Sequence, residues 1–167
     1  MQAQFVITPE GLSTEDGKDY IIITAEGKDK NTLYQEALKC LTKTYVSAKD
    51  VLSTVEGEMI AVNGIYTLQH FVAVYDICYT LNMEFRDGRV KYSLPVINSM
   101  NGVDEKGREY QLTYNISNGG LGAVCLVGIY NKKGELKREW IKKSIESFFN
   151  NNFRTLQTYL TKTEDDW

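Results

Sequence analysis

The residues of this chain best suited to nucleophilic chemistry are three cysteines and a single histidine. Cys40, Cys78 and Cys125 are widely spaced, and His70 is the only histidine. A thiol becomes an effective nucleophile when a base lies within hydrogen-bond distance. His70 and Cys78 are expected on one strand, where eight residues at about 3.3 Å each separate them by roughly 26 Å. This spacing excludes a nucleophile–base pair within the strand, and we expect the histidine at the surface or at a sheet edge.

Carboxylates and glycines give no stronger signal for chemistry. Asp76 and Glu84 are expected on one strand face, but they are also eight residues apart, which exceeds the spacing of a glycosidase pair. The glycines between Gly119 and Gly122 lack the Gly-Lys-Ser/Thr ending of a phosphate-binding loop, so this segment is interpreted as a flexible loop. An odd, scattered set of cysteines forms neither a disulfide framework nor a metal motif, and three buried or half-buried thiols are expected. The sequence therefore predicts no catalytic residue, no metal ligand and no cofactor, and an enzyme is the least favoured class.

The element that would position these side chains is a long β-hairpin between Tyr75 and Val96. The Asp87-Gly88 pair predicts a two-residue type I′ turn at its tip, because both central positions of that turn need a positive φ. On one face, this register joins the apolar pairs Phe85–Val90, Met83–Tyr92, Leu81–Leu94 and Tyr79–Val96. On the other face it joins the polar pairs Glu84–Lys91 and Asn82–Ser93. A slip of one residue would invert both faces, so the pattern predicts an antiparallel sheet with one buried and one exposed face.

Hydrophobic spacing predicts the remaining elements. A strand over 19–25 precedes a helix that is capped by Asp29 or Asn31 and continues to about Tyr45. Short strands are expected over 51–55 and 59–64, a long strand over 66–85, and further pairing segments over 110–116 and 123–130. A second helix is expected from Glu135 onward, with weak helix formers at positions 150–152 that favour a bend. Its apolar stripe comprises Leu136, Trp140, Ile141, Ile145, Phe148, Phe149, Phe153, Leu156 and Leu160.

Length and charge limit the classes of function. A chain of 167 residues suggests one domain, divided here into a core over 19–96, inserted strands and a loop over 98–134, and a C-terminal helix over 135–161. The net charge is −3, and the sequence shows no basic stripe, which argues against binding of nucleic acid. No apolar run reaches 18 residues, so no membrane span is expected. The start, Met1-Gln-Ala-Gln-Phe5, is compatible with cleavage of a signal peptide behind a small residue, and equally with a native start.

Several segments of the core resemble a known family. They are the helix Lys30–Tyr45 with its Leu33-Tyr34 start, the link Ser47-Ala-Lys-Asp50, and the hairpin Arg86-Asp-Gly-Arg-Val-Lys-Tyr92. From Tyr20 to Val96 the chain resembles the domain of unknown function 4468, a family with a TATA-binding-protein-like fold. It departs from the family pattern at Cys40-Leu41, where members often carry a tryptophan. The resemblance implies a bacterium of the Bacteroidetes type and a periplasmic or secreted setting in the cell envelope, and it implies no activity.

These observations predict an α+β fold in which an antiparallel β-sheet carries two helices on one face, similar to the TATA-binding-protein-like and helix-grip folds. The leading functional hypothesis is a non-catalytic binding or protein-interaction module of the bacterial envelope. The alternative is a carrier of a small apolar ligand between the sheet and the C-terminal helix. The residues that would line such a ligand site, and that also suit an ordinary core, are Tyr75, Tyr79, Tyr92, Trp140 and Phe148.

Overall fold

The computed structural model describes residues 4–45, 51–116 and 124–162. Within these residues the chain forms ten strands and two helices. In chain order they are β1 (Phe5–Thr8), β2 (Gly11–Thr14), β3 (Tyr20–Thr24), α1 (Lys30–Thr44), β4 (Leu52–Val55), β5 (Met59–His70), β6 (Ala73–Arg86), β7 (Arg89–Ser93), β8 (Val96–Asp104), β9 (Glu109–Asn115), β10 (Cys125–Tyr130) and α2 (Glu139–Thr161). No helix in the described part of the chain is long and apolar enough to cross a membrane.

Strand β6 is the strand on which the sheet divides. It pairs antiparallel with β5 on one side. On its other side, the half nearest Arg86 pairs with β7, which continues to β3, while the half nearest Ala73 pairs with β8, which continues to β9 and β10. Helix α1 contacts β5, β6 and β7, and α2 contacts β1, β5 and β10. The predicted α+β class and the two helices on one sheet face are confirmed, although β9 and β10 pair in parallel.

Two glycines allow tyrosine rings to lie across neighbouring strands. Tyr79 of β6 faces Gly64 of β5, and Tyr75 of β6 faces Gly102 of β8. A Cβ atom at position 64 would lie 2.3 Å from Cζ of Tyr79, and one at position 102 would lie 2.5 Å from Cδ1 of Tyr75. Only glycine leaves space for these rings, so both tyrosines pack flat into the core.

Helix α1 follows the predicted pattern closely. The carboxylate of Asp29 accepts a hydrogen bond of 2.8 Å from the backbone N–H of Thr32, which satisfies one of the free donors at the helix start. The residues that face the sheet are Leu33, Tyr34, Ala37, Cys40 and Leu41, all of them buried. The cap and the apolar stripe thus agree with each other, which is why the sequence located this helix well.

Helix α2 differs from the prediction at its start and in its middle. It begins at Glu139 rather than Glu135, because Leu136 forms a bridge with Tyr130 and remains 41% exposed. The helix is continuous through positions 150–152, where a bend is expected from the sequence. Asn150 is buried, and its amide oxygen accepts hydrogen bonds from the backbone N–H groups of Gln4 (2.8 Å) and Phe5 (2.9 Å). The side chain of Asn150 therefore anchors β1 on the helix.

The β6–β7 hairpin confirms the predicted register near its turn, where Phe85 pairs with Val90 and Met83 pairs with Tyr92. Of the two turn residues only Gly88 has a positive φ, of 73°, so the turn is not the expected type I′. The predicted pairing of Tyr79 with Val96 is wrong. Strand β7 ends before Pro95, which has no N–H to donate, and β8 starts with Val96 opposite Thr80, next to a bulge at Asn98 of β8.

The predicted long strand over 66–85 is wrong, because it is broken by a turn. Strand β5 ends at His70 and β6 starts at Ala73, so that Phe71 and Val72 form the two-residue tip of a second hairpin. Phe71 was expected on the buried face with Ala73, but it is 87% exposed. Its φ of 53° is the only positive value of a non-glycine residue in the described chain.

Candidate functional site

The five residues predicted to line a ligand site lie at separate places. Tyr75, Tyr79 and Tyr92 are buried, whereas Trp140 is 52% exposed and Phe148 is half-buried. Only Tyr79 and Phe148 meet, with ring centroids 5.6 Å apart. The other two buried tyrosines pack elsewhere, Tyr75 against Tyr110 at 6.4 Å and Tyr92 against Phe153 at 5.0 Å. The structure thus brings Tyr79 into ring contact with Phe148 and places Phe148 and Trp140 along one groove, whereas Tyr75 and Tyr92 pack elsewhere.

The interface between the sheet and α2 is filled by aromatic rings around Tyr79. Its ring packs edge-on against Phe149 at 5.2 Å, and its hydroxyl lies 2.7 Å from that of Tyr45. Burial raises the pKa of Tyr79 well above its usual range, and the hydrogen bond with Tyr45 acts in the same direction. Burial likewise raises the pKa of Tyr92. Both phenols therefore stay protonated at physiological pH and contribute packing rather than acid–base chemistry.

An open groove of about 520 Å³ runs along the outer side of α2. Tyr66 and Phe148 stack in parallel beside it, with ring centroids 4.2 Å apart. Its remaining lining comprises Trp140, Lys143, Ser144, Ser147 and Asn151. The groove mixes rings with hydroxyl and amide groups, and it is continuous with the exposed ring of Trp140.

A cluster of exposed apolar side chains lies where β5 turns into β6. We refer to the side chains of Phe71 (87% exposed), Val72 (67%) and Trp140 (52%) as the tip patch, whereas the exposed Val74 (40%) and Val103 (48%) lie nearby on the sheet face opposite the helices. His70 connects its two parts, since its ring lies 4.4 Å from that of Phe71 and stacks on Trp140 at 5.3 Å. Val74 and Val103 face each other on the neighbouring strands β6 and β8. Apolar surface that is grouped in this way often marks an interaction site.

Charged side chains beside the tip patch pair with one another. Arg108 lies 3.4 Å from Asp104, whose backbone is opposite Ala73, and Lys143 lies 2.8 Å from Glu139. Partial burial lowers the pKa of His70, and the nearby charge of Arg138 lowers it further, so the imidazole favours its neutral form. The tip patch is therefore apolar at its centre, and its rim carries these two ion pairs together with the cation of Arg138, whose Nη1 donates a hydrogen bond of 2.6 Å to the carbonyl of Gly128.

The structure corrects the reasoning about the histidine and the cysteines. His70 is in β5 and Cys78 is in β6, where Cys78 lies opposite Ile65. The two residues were expected on the same strand, and they are still separated by five positions of β5, which is roughly 17 Å. All three cysteines are free, Cys40 being buried and Cys78 half-buried, while Cys125 is exposed, contrary to the expectation.

The exposed face of β6 agrees with the prediction of a polar, solvated surface. Asp76 accepts a hydrogen bond of 2.8 Å from Thr67, and Thr80 donates one of 3.0 Å to Asn63. Asp76 and Glu84 lie on this one strand, as expected. Among the described residues, no group of three His, Cys, Asp or Glu side chains is placed to hold a metal ion. The loop between Gly119 and Gly122 lies outside the described residues.

Comparison with known proteins identifies a family and two solved structures that this chain resembles. The model of a family described as a domain of unknown function (DUF4468) with TBP-like fold matches residues 20–99. Residues 20–99 are similar to this family, and we refer to them as the DUF4468 segment. The DUF4468 segment thus contains β3 to β7 with α1 and ends within β8, so most of β8, all of β9 and β10, and α2 lie beyond it. No curated protein matches the chain.

Two solved structures share the fold of most of the chain. A TBP-like protein from Parabacteroides distasonis has a TM-score of 0.52 at 16% identity, covering 83% of this chain and 90% of its own. A DUF4468 family protein from Bacteroides ovatus has a TM-score of 0.57 at 13% identity, covering 87% of this chain and 86% of its own. The structural similarity therefore extends beyond the DUF4468 segment.

The tip patch escaped the sequence analysis because its turn carries no sequence signal. Two-residue hairpin turns with a positive φ normally contain Gly, Asn or Asp, whereas this one contains Phe71 and Val72. The alternating apolar pattern of β6 simply extends backward through Ala73 and Phe71 and suggests one longer strand. Only the break in register, visible in the paired strands, reveals the turn.

Proposed function

We propose that this protein is a non-catalytic protein-interaction module that binds a partner protein through its tip patch. The observation that carries this proposal is Phe71, a large apolar residue that is 87% exposed and has a φ of 53°. A left-handed backbone costs about 1–2 kcal/mol for a residue with a Cβ atom. Holding this aromatic ring in solvent therefore lowers the stability of the fold. Backbone strain of this kind concentrates at functional positions.

A partner with an apolar pocket fits this arrangement. Binding energy at protein interfaces concentrates in a few aromatic anchors that enter such pockets near the centre of the contact. Phe71 and Val72 project from the end of a hairpin, and Trp140 flanks them through its stack with His70. The surrounding ion pairs, such as that of Arg108 with Asp104, provide the polar rim of such an interface.

The charge around the tip patch favours a protein over a membrane surface. Segments that bind anionic lipid carry an excess of Lys and Arg beside their apolar residues. Here the flanking cations Arg108 and Lys143 are each paired with a carboxylate, and the nearby Arg138 donates a hydrogen bond to the carbonyl of Gly128. The rim therefore offers little attraction to an anionic bilayer, while a protein pocket needs only the apolar centre.

Photo-crosslinking tests the proposal. A photoreactive residue replaces Val72 in the full chain, and the partner that it captures in the native cells is identified and purified. We expect Phe71→Ser to weaken the binding of this purified partner about 30-fold or more, the effect of losing a hot spot of about 2 kcal/mol. Val55→Ser is the matched control. Val55 is also an exposed apolar residue, at 48%, but it lies on β4, opposite Met59 at the far end of β5 from the tip patch.

Two results would contradict the proposal. In the first, Phe71→Ser and Val55→Ser bind the purified partner equally well, which would show that the ring does not contribute. In the second, the full chain binds neutral and anionic lipid vesicles and loses this binding with Phe71→Ser, which would make the tip patch a membrane contact.

We further propose that the protein acts in the cell envelope, a setting implied by the family resemblance. Fractionation of native cells tests this, since recovery in the cytoplasm alone would refute it. The alternative, a carrier with its ligand between the sheet and α2, has weaker support. The rings of Tyr79, Phe148 and Phe149 contact each other across that interface, and they occupy the space that a ligand would need.

A further inference from the structure

A second surface with the character of a binding site lies at the other end of the sheet, where β6 turns into β7. It is a groove of about 280 Å³ on the face opposite the helices. We refer to it as the basic groove, and it is lined by Tyr20, Ile22, Glu84, Arg86, Arg89 and Lys91. All six side chains come from the adjoining strands β3, β7 and β6, so a rigid sheet positions them.

Two arginines in the basic groove face each other without a counter-ion. Arg86 and Arg89 are directly opposite in the hairpin register. Like charges in this position repel each other and destabilise a strand pair. In the described parts of the chain, neither guanidinium has a hydrogen-bond or ion-pair partner. With Lys91 and the carboxylate of Glu84, the groove carries a net charge of +2, although the whole chain carries −3.

The acidic side chains closest in sequence to the two arginines have other partners. Asp87, between the two arginines, accepts a hydrogen bond of 2.8 Å from the backbone N–H of Lys30 at the start of α1. Glu84 forms an ion pair of 3.3 Å with Lys91. The repulsion between Arg86 and Arg89 is therefore not compensated by these carboxylates, and an external anion would compensate it.

The turn that carries the arginines is held in place. The N–H of Gly88 donates a hydrogen bond of 2.8 Å to the carbonyl of Lys28, and the carbonyl of Gly88 accepts one of 2.9 Å from Ala25. Together with the bond from Lys30 to Asp87, these contacts fix the hairpin end against the start of α1. A fixed backbone lowers the entropy cost of binding, because only the arginine side chains become ordered.

One wall of the basic groove is apolar. Ile22 is 42% exposed and lies beside Lys91 in the β3–β7 register. The ring of Tyr20 lies 5.4 Å from the ammonium group of Lys91. A ligand held by the arginines would therefore place its uncharged part on Ile22 and Tyr20.

From these contacts we propose that the basic groove binds a small organic phosphate, specifically a phosphomonoester with a ring-shaped or apolar body. Guanidinium groups bind phosphate oxygens through paired, charge-assisted hydrogen bonds, and two of them converge here. The cations are confined to one groove and do not form a stripe, which suits a single phosphate and not a polymer. This inference does not depend on the tip patch, which lies at the opposite end of β6.

Titration of the full chain, followed by NMR of the arginine side chains, tests the proposal. The probes are phenyl phosphate, inorganic phosphate and benzyl alcohol, which present the whole ligand, its anion alone and its ring alone. We expect phenyl phosphate to bind most tightly, with shifts at Arg86 and Arg89. The double variant Arg86→Gln/Arg89→Gln should weaken this binding at least about tenfold, because it removes charge-assisted hydrogen bonds.

Two further variants complete the design. Arg154→Gln on α2 is the matched control, and we expect it to leave binding unchanged. Glu84→Gln removes the carboxylate that competes for Lys91, and we expect it to tighten binding severalfold. The absence of saturable shifts at millimolar phenyl phosphate would overturn the proposal. It would also be overturned by equal affinities for phenyl phosphate and inorganic phosphate, or by a double variant that binds as well as the Arg154→Gln control.

Discussion

Replacing Phe71 by glycine separates the role of its exposed ring in binding from the strain of its backbone. Phe71 has a φ of 53°, which disfavours any residue with a Cβ atom, and its ring is 87% exposed. Glycine adopts a positive φ without steric cost. We therefore expect Phe71→Gly to weaken partner binding while leaving the fold about as stable as before, or more stable. An ordinary structural residue would lose function and stability together.

The expected change in the free energy of unfolding of Phe71→Gly is the sum of one favourable and two unfavourable contributions. Relief of the left-handed strain contributes about 1–2 kcal/mol in favour of the variant. The extra chain entropy of glycine in the unfolded state costs about 0.5–1 kcal/mol. Loss of the edge-on contact with His70, at 4.4 Å, costs roughly 0.5 kcal/mol for an exposed ring pair. The net change in the free energy of unfolding is thus between roughly −0.5 and +1 kcal/mol.

Val72→Gly provides the comparison that isolates the strain. Val72 is also exposed, at 67%, and it has no positive φ, so this variant loses about 0.5–1 kcal/mol with nothing to offset it. Urea denaturation of both variants measures the difference. With a slope of about 2 kcal/mol per M, a difference of about 1 kcal/mol separates the two midpoints by about 0.5 M.

The reasoning would be refuted if Phe71→Gly destabilised the protein as much as Val72→Gly. Such a result would mean that the backbone at position 71 carries no strain or that the ring stabilises the fold. Phe71→Asn is a further check, because asparagine tolerates the left-handed region better than phenylalanine does. Its midpoint should lie close to that of Phe71→Gly.

Three further predictions concern the core. Asn150→Leu should lower the free energy of unfolding by about 3 kcal/mol, because it leaves buried backbone groups of Phe5 without partners. The control is Asn151→Leu, at an exposed position of the same helix. This variant should change the free energy of unfolding by less than about 0.5 kcal/mol. Gly64→Ala should cost about 2 kcal/mol by overpacking against the ring of Tyr79. The raised pKa of Tyr79 and Tyr92 predicts full stability below pH about 10, the unfolded value for tyrosine, and loss of stability above it.

Denaturant melts and alkaline titrations check these outcomes. Equal stabilities of the Asn150→Leu and Asn151→Leu variants would show that the anchor of β1 is unimportant. An unchanged melting temperature for Gly64→Ala would mean that the Tyr79 ring moves aside without cost. A Tyr79→Phe variant should lose less stability per pH unit above pH about 10, since one phenol no longer resists ionisation. The same slope as the unchanged chain would contradict the assigned pKa direction.

Local signals in the sequence predicted much of the fold. Asp29 followed by an apolar stripe located α1, and the alternation around Asp87-Gly88 located the β6–β7 turn and its register. Each of these features is decided by neighbours in sequence, through capping, side-chain period and turn chemistry. The α+β class followed, because antiparallel hairpins and amphipathic helices of this length leave few other arrangements.

The errors arose where distant residues decide the structure. Phe71 makes a turn without a turn residue, because the pairing of β5 with β6 outweighs the local preference. Asn150 is a weak helix former that the helix retains, since its amide completes the hydrogen bonds of β1, which lies about 145 residues away in sequence. The parallel pairing of β9 with β10 likewise joins two strands whose own patterns do not indicate their relative direction.

The candidate sites were the least predictable part. The register that the sequence supplied already placed Arg86 opposite Arg89, but a pair of exposed arginines is uninformative until their neighbours are known. Their significance depends on Asp87 pointing to Lys30 and on Glu84 pairing with Lys91. These are facts of side-chain geometry, and neither composition nor periodicity encodes them.

The sheet divides into two branches at β6, and this division determines which parts of the fold can open locally. The backbone of β6 is paired on both sides along nearly its whole length, with β5 on one side and with β7 or β8 on the other. Strands β4, β3 and β10 each have only one neighbour. Amide protons at the two branches can exchange with solvent through separate local openings, whereas the central amides of β6 exchange only when the whole fold opens. The branch that ends in β10 can therefore fray or rearrange while β6 keeps the DUF4468 segment intact.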